Sequence, residues 1–267
     1  MSEFKYKLGI IGAGNMARAI TGGIIRGKTL NPRGIIVSDI DADKLGGFKD
    51  AGFDVTADNK FLTENSQNVL FAIKPQTFKS AAAELADSLK AEAVLTIMAG
   101  IGIGAIKAAF GNINVCRVMP NVPCLIGKGI CALAFDGYKE NEKDFVFGIF
   151  GALGETIELP EEKFDAVTAV SGSGPAYVYT FIDALIVGGV ENGLTCEEAR
   201  RLSISVFKGA AELAEKSDRD LDALIKNVAS KGGTTEAALS VFDKTGVKDG
   251  IRQGVAAAAA RARELGK

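Results

Sequence analysis

Two glycine loops carry most of the chemistry that this chain's residue types allow. Residues 8–17 read LGIIGAGNMA, and residues 229–239 read ASKGGTTEAAL. In the first, Gly12, Gly14 and Ala17 take the spacing G-x-G-x-x-G/A after an apolar run, where a helical pattern opens. The first glycine permits a tight turn, and the second lets backbone approach a pyrophosphate. The third small residue lets helix and strand pack closely. Unpaired N–H groups and the positive end of the helix dipole would then meet phosphates. Asp39 ends the second apolar run, where an acid holds the ribose 2′-hydroxyl of NAD. The other reading is an ordinary strand–turn–helix. The agreement of strand, spacing and helix favours a dinucleotide. Asp39 leans towards NADH, because a carboxylate repels a 2′-phosphate. Ser38 and Lys44, which suit a phosphate, keep NADPH open.

The second loop places Gly232, Gly233 and Thr234 ahead of another helical stretch. Successive backbone N–H groups there make an anion site without a cationic side chain. On local pattern alone the loop reads rather as an interhelical turn with a threonine N-cap, since such turns are common.

The chain has no histidine, which excludes Ser-His-Asp and Cys-His catalysis and nearly all zinc hydrolase sites. Proton transfer falls to carboxyl, hydroxyl, lysine, thiol, water or the substrate. The four cysteines, Cys116, Cys124, Cys131 and Cys196, form no CxxC pair and read as reduced thiols, so no metal site is expected. A net charge of −2 advertises no nucleic-acid-binding face. No apolar run is long enough to span a membrane, and no signal pattern opens the chain, so a cytoplasmic location is expected.

The elements that must position these loops divide near residue 160. Domain 1–160 alternates short apolar strands, at 7–11, 34–38, 69–73, 93–98 and 114–119, with helical stretches at 15–26, 41–51 and 78–89. That alternation predicts an α/β fold, a doubly wound, Rossmann-like parallel sheet. Pieces at 130–135 and 156–159 close it. Ligands of such sheets lie beyond the carboxyl ends of the strands, where Ile73-Lys74-Pro75 and Met98-Ala99-Gly100 fall. Asn59 suits either the adenosine half of a nucleotide or a helix cap. Domain 161–267 reads as all-helical, at 174–193, 195–217, 220–229, 234–244 and 247–265, with a capping box at Thr195 and Glu198. Ser171-Gly172-Ser173-Gly174-Pro175 reads as a flexible turn before the first of these helices.

The whole chain resembles the pyrroline-5-carboxylate reductase family. The resemblance rests on IGAGNMA (11–17), AIKP (72–75), RVMPN (117–121), DAVTAVSGSGPAYVY (165–179) and NVASKGGTTEAAL (227–239). The first motif is shared by many dehydrogenases; SGSGPAY and GGTT together are highly specific. Departures are VPCLIG where the family more often has TPALVG, and Lys231 where it often has proline.

The resemblance implies NADPH- or NADH-dependent reduction of the cyclic imine 1-pyrroline-5-carboxylate to L-proline. It also implies a helical domain that dimerises, often into rings of dimers. Cofactor contacts carry over to Ile11, Gly12, Ala13, Gly14, Asn15, Met16, Ser38, Asn59, Ile73, Lys74, Ala99 and Asn227, beside the Asp39 read from spacing. Substrate contacts carry over to Glu161, Thr234 and Thr235, with Gly232 and Gly233 as the anion cradle. Thr235 is the catalytic candidate, orienting the imine nitrogen or relaying its proton. On the residues alone, Glu161 reads as a surface acid in a turn. The rival enzyme reading, a β-hydroxyacid dehydrogenase-like protein, would need a helix lysine, for which Lys208 is the candidate. The rival from another class is a non-catalytic dinucleotide-binding protein.

Overall fold

The computed structural model describes residues 4–266. Eight strands form one sheet: β1 (Tyr6–Ile11), β2 (Ile35–Ser38), β3 (Asp54–Thr56), β4 (Ser66–Phe71), β5 (Ala93–Thr96), β6 (Asn114–Met119), β7 (Gly129–Asp136) and β8 (Gly154–Glu158). Their order is β3-β2-β1-β4-β5-β6-β7-β8. The first six run parallel. Only β7 reverses against β6, and β8 runs parallel to β7. β1, β2, β4 and β5 are buried nearly throughout, as expected of parallel strands covered on both faces. Alternation divides their side chains between two hydrophobic clusters. Ile35, Val37 and Leu70 point into one, Ile36, Val69 and Phe71 into the other.

Helices α1 (Asn15–Gly27), α2 (Ala42–Asp50), α3 (Asn59–Asn65), α4 (Phe78–Leu85), α5 (Ile103–Phe110), α6 (Asp144–Gly151) and α7 (Phe164–Val167) accompany the sheet. α1 buries Ala17, Ile20 and Ile24, one apolar stripe at helical spacing. Beyond them lie α8 (Gly174–Glu191), α9 (Cys196–Lys216), α10 (Leu221–Val228), α11 (Thr234–Thr245) and α12 (Val247–Leu265). The capping box at Thr195 is formed, with its N–H donating to Glu198 Oε2 and Glu198 N–H to Thr195 Oγ1.

Contacts divide the chain into two compact units. One runs to Ser173 and resumes at Ala258; the other is Gly174–Ala257. The division therefore falls beyond the expected boundary at 160. Phe164 is only 1% exposed in the sheet unit's core, and Glu161 pairs with Arg117 of β6, which holds that stretch to the sheet. The end of α12 belongs to the sheet unit too. Gly100 adopts φ +80, and a Cβ there would sit 2.7 Å from the Leu265 carbonyl oxygen.

The flexible turn expected at 171–175 is instead part of a wider helical turn. Residues Thr168–Gly172 are π-helical, with Ser173 N–H donating to Thr168 O at 2.9 Å. Pro175 has no N–H to continue an ordinary ladder. Ser171 Oγ donates back to Val167 O at 3.0 Å, inside the widened turn.

In the helical unit, α8 and α9 pack together, with Gly189 close against Ala199. Yet α8 buries no residue, and Tyr179, Leu185, Val187 and Val190 stand exposed along it.

Candidate functional sites

The turn after β1 is pinned by its neighbours' backbone. Gly12 N–H donates to Ser38 O at 2.7 Å, and Ala72 N–H donates to Ile11 O at 2.8 Å. These bonds tie the carboxyl ends of β1, β2 and β4 together, so Ile11, Ser38 and Ile73 gather at that end of the strands. Gly12 sits at φ +105, and a Cβ would lie 2.6 Å from the Ala72 carbonyl oxygen. Glycine is required there by both backbone angle and space.

Gly14 is the N-cap of α1, and a Cβ on it would meet nothing within 4 Å. The first turn of α1 carries no acidic side chain and no side-chain cap. Its early N–H groups and dipole therefore face open space uncompensated, beside Asn15 and Met16. That is the cradle a pyrophosphate fits, and the residues present suit a dinucleotide.

Asp39 does more than wait for a ribose. Its Oδ2 accepts from Ala13 N–H at 2.8 Å and its Oδ1 from Asp41 N–H at 2.9 Å. Lys44 Nζ lies 3.7 Å from Asp39 and 3.3 Å from Asp41. The carboxylate thus braces the glycine loop, with a cation alongside. Ser38 is fully buried and donates its hydroxyl to Asn59 Oδ1 at 2.6 Å. Asn59 caps no helix. It is the first residue of α3, and Asp58 supplies the cap by accepting from Phe61 N–H.

Strand β4 ends at Phe71, earlier than expected, with Ala72 N–H making the last bond to β1. Ile73 and Lys74 form the loop that follows, with Lys74 extended before Pro75. Ala99 lies in the turn between β5 and α5, and the N-terminus of α5 is held by Glu161. Glu161 Oε1 accepts from Ile103 N–H at 2.8 Å and from Arg117 Nη1 at 3.0 Å. Arg117 also stacks on Phe164, 4.9 Å from the ring centre. Glu161 is therefore a half-buried clamp, not a free surface acid. Arg117 belongs to the RVMPN stretch, but its partner lies 44 residues away, beyond any local pattern.

In the helical unit, Gly233 rather than a threonine is the N-cap of α11, and it uses no side-chain cap. Gly232 is left-handed, at φ +74. Its N–H donates to Glu236 Oε2 at 2.6 Å, and Gly233 N–H donates to Ser230 O at 2.9 Å. Two of the three donors expected for an anion are therefore engaged within the loop. The open donors lie one step on, at Thr234 and Thr235 in the first turn of α11. Among the described residues neither threonine hydroxyl has a hydrogen-bond partner. Thr180 and Thr245, inside helices, donate theirs back to carbonyls. Asn227 lies exposed on α10. Lys208, the rival's lysine, is exposed on α9.

A doubly wound sheet with a glycine turn, an open helix N-terminus and a bracing acid defines a nucleotide-dependent oxidoreductase. Comparisons agree. Residues 7–100 match a family model described as NADP oxidoreductase coenzyme F420-dependent, and 161–265 one described as pyrroline-5-carboxylate reductase dimerisation. A pyrroline-5-carboxylate reductase from Synechocystis is 38% identical, covering 98% of both chains. The crystal structure of Plasmodium falciparum pyrroline carboxylate reductase with NADP bound superposes with a TM-score of 0.90. It has 29% identity and covers 99% of this chain and 100% of that one. A Coxiella burnetii pyrroline-5-carboxylate reductase gives 0.89 at 32% identity, covering 98% and 99%. The chain belongs to the pyrroline-5-carboxylate reductase family and is an NAD(P)H-dependent oxidoreductase. Among the described residues no helix is long and apolar enough to cross a membrane.

Proposed function

We propose that this chain reduces 1-pyrroline-5-carboxylate to L-proline with NADPH or NADH, completing proline biosynthesis. The observation that carries the reading is the loop before α11: two unpartnered threonine hydroxyls at an open helix N-terminus, in a member of this family. The substrate has the chemistry to match, a carboxylate beside a ring nitrogen.

Reduced nicotinamide supplies the hydride for the imine carbon. Ile11–Met16, Ser38, Asp39, Asn59, Ile73, Lys74, Ala99 and Asn227 are the residues we assign to holding the cofactor. The N–H groups of Thr234 and Thr235 take the substrate carboxylate, while Gly232 and Gly233 shape the turn that presents them. The Thr235 hydroxyl orients the ring nitrogen. Bound as its iminium, the imine brings its own proton; reduction then delivers a neutral amine, and no histidine is needed. Glu161, through the oxygen not used by Ile103 and Arg117, favours that cation electrostatically.

We assign the exposed apolar surface of α8 to self-association as a dimer, with a ring of dimers as the larger form. Light scattering of the purified protein reads the assembly. The activity is read by mixing folded protein with 1-pyrroline-5-carboxylate and each reduced nucleotide. No absorbance loss with either nucleotide would overturn the proposal.

A further inference from the structure

Cys124 and Cys131 lie at the inner side of a turn that the reductase chemistry does not use. Cys124 belongs to the 3-10 turn Val122–Ile126, which packs against α1. Cys131 lies on β7, two residues after Gly129, so positions 129 and 131 share one face of the strand. Glycine leaves the first of those places empty, and the Cys124 sulfur occupies it. A Cβ on Gly129 would lie 2.2 Å from Cys124 Sγ. The next side chain on that face is Cys131, and the two sulfurs stand 3.7 Å apart.

Asn121 fixes this arrangement. Its Oδ1 accepts from Ile130 N–H at 3.1 Å and from Cys124 Sγ at 3.7 Å, holding turn to strand on either side of the pair. Both cysteines are fully buried, but the cover over Cys124 is thin. Its neighbours in the turn, Leu125 and Ile126, are 43% and 74% exposed. Local opening of one short turn uncovers the sulfur. The Cys131 thiol hydrogen-bonds to Cys124, and that bond holds the Cys124 thiol below its ordinary pKa.

We propose that Cys124 and Cys131 are a redox-active dithiol that closes to an intramolecular disulfide when the protein meets a hydroperoxide. The Cys124 thiolate attacks one peroxide oxygen; the S–O bond forms, the O–O bond breaks, and a proton from solvent completes the departing alcohol or water. The sulfur is left as a sulfenic acid. The Cys131 sulfur then attacks the Cys124 sulfur, the S–S bond forms, and the sulfenic oxygen leaves as water with the thiol proton. Two electrons in all pass from the two sulfurs to the peroxide.

The test uses the full-length protein and hydrogen peroxide. Lys128 separates the two cysteines, so trypsin places them in different peptides, 118–128 and 129–139. After oxidation and blocking of free thiols, mass spectrometry should find these peptides covalently joined, about 2 Da lighter than their sum. Dithiothreitol should separate them again. In a Cys196→Ser background, which removes the exposed thiol, the denatured protein's thiol titre should fall from three to one. Cys131→Ser should abolish the joined species and leave Cys124 to oxidise alone. Separate peptides with unchanged thiols would overturn the proposal, as would sulfinic acid at Cys124 without any cross-link.

Discussion

Replacing Asp39 with serine separates two effects that the carboxylate exerts at once. It braces the glycine loop through Ala13 N–H at 2.8 Å, and this concerns NADH and NADPH alike. A hydrogen bond to a charged group contributes about 1.5–3 kcal/mol. Asp39 is only 12% exposed, but Lys44 and the Asp41 N–H compete for its charge, so the lower end applies. About 1.5 kcal/mol raises KM for both nucleotides roughly tenfold. The second effect falls on NADPH alone. A unit charge about 4 Å from a phosphate charge is repelled by about 1 kcal/mol in water and about 4 kcal/mol at an effective dielectric of 20. With Lys44 3.7 Å away screening it, about 1–2 kcal/mol is the expected share, or roughly five- to thirtyfold in selectivity. Steady-state rates with each nucleotide, at saturating imine, give both numbers. The expected result is two raised KM values and an NADPH-to-NADH ratio of kcat/KM shifted towards NADPH. An unchanged ratio would show that Asp39 does not read the ribose; unchanged KM values would refute the brace.

Gly12→Ala forces a Cβ to within 2.6 Å of backbone at φ +105. Left-handed strain and overpacking together should cost roughly 2–5 kcal/mol, read as a lower urea midpoint and lost nucleotide binding. Thr235→Ala should lower turnover about ten- to a hundredfold, one lost hydrogen bond, while the nucleotide dissociation constant stays put. Loss of nucleotide binding instead would reassign the loop. Glu161→Ala strips the acceptor from Ile103 N–H and strands Arg117, whose side chain is only 11% exposed. Stability should drop by about 1–3 kcal/mol in denaturant unfolding, and an unaltered midpoint would mean that the clamp holds nothing.

What the chain disclosed in advance depended on how local the cause was. The spacing of Gly12, Gly14 and Ala17 was legible because turn, close approach and helix packing each need a small residue at a fixed offset. β3 was not, since Asp54-Val55-Thr56 is a short edge strand with no apolar run. Ala72 and Ile73 read as strand because apolarity continues past Phe71, whereas the pairing with β1 ends there, Ala72 N–H making its last bond to Ile11 O. Glycine and serine at 171–173 read as a loop, although back-bonded hydroxyls keep that stretch helical. The pairing of Glu161 with Arg117 depends on the tertiary fold. Gly232 and Gly233 read as free donors in the sequence because no local pattern shows that Glu236 and Ser230 answer them.

Since α12 begins among the helices and ends with the sheet, Gly174–Ala257 is an insertion and not an appendage. An appended domain can be shed by a single stop codon. Here a stop after Ser173 would also delete the strip beyond Ala258, which lays the Leu265 carbonyl against Gly100, next to Ala99. Isolating the nucleotide-binding half therefore calls for a linker in place of Gly174–Ala257, joining Ser173 to Ala258, so that the last turns of α12 stay with the sheet.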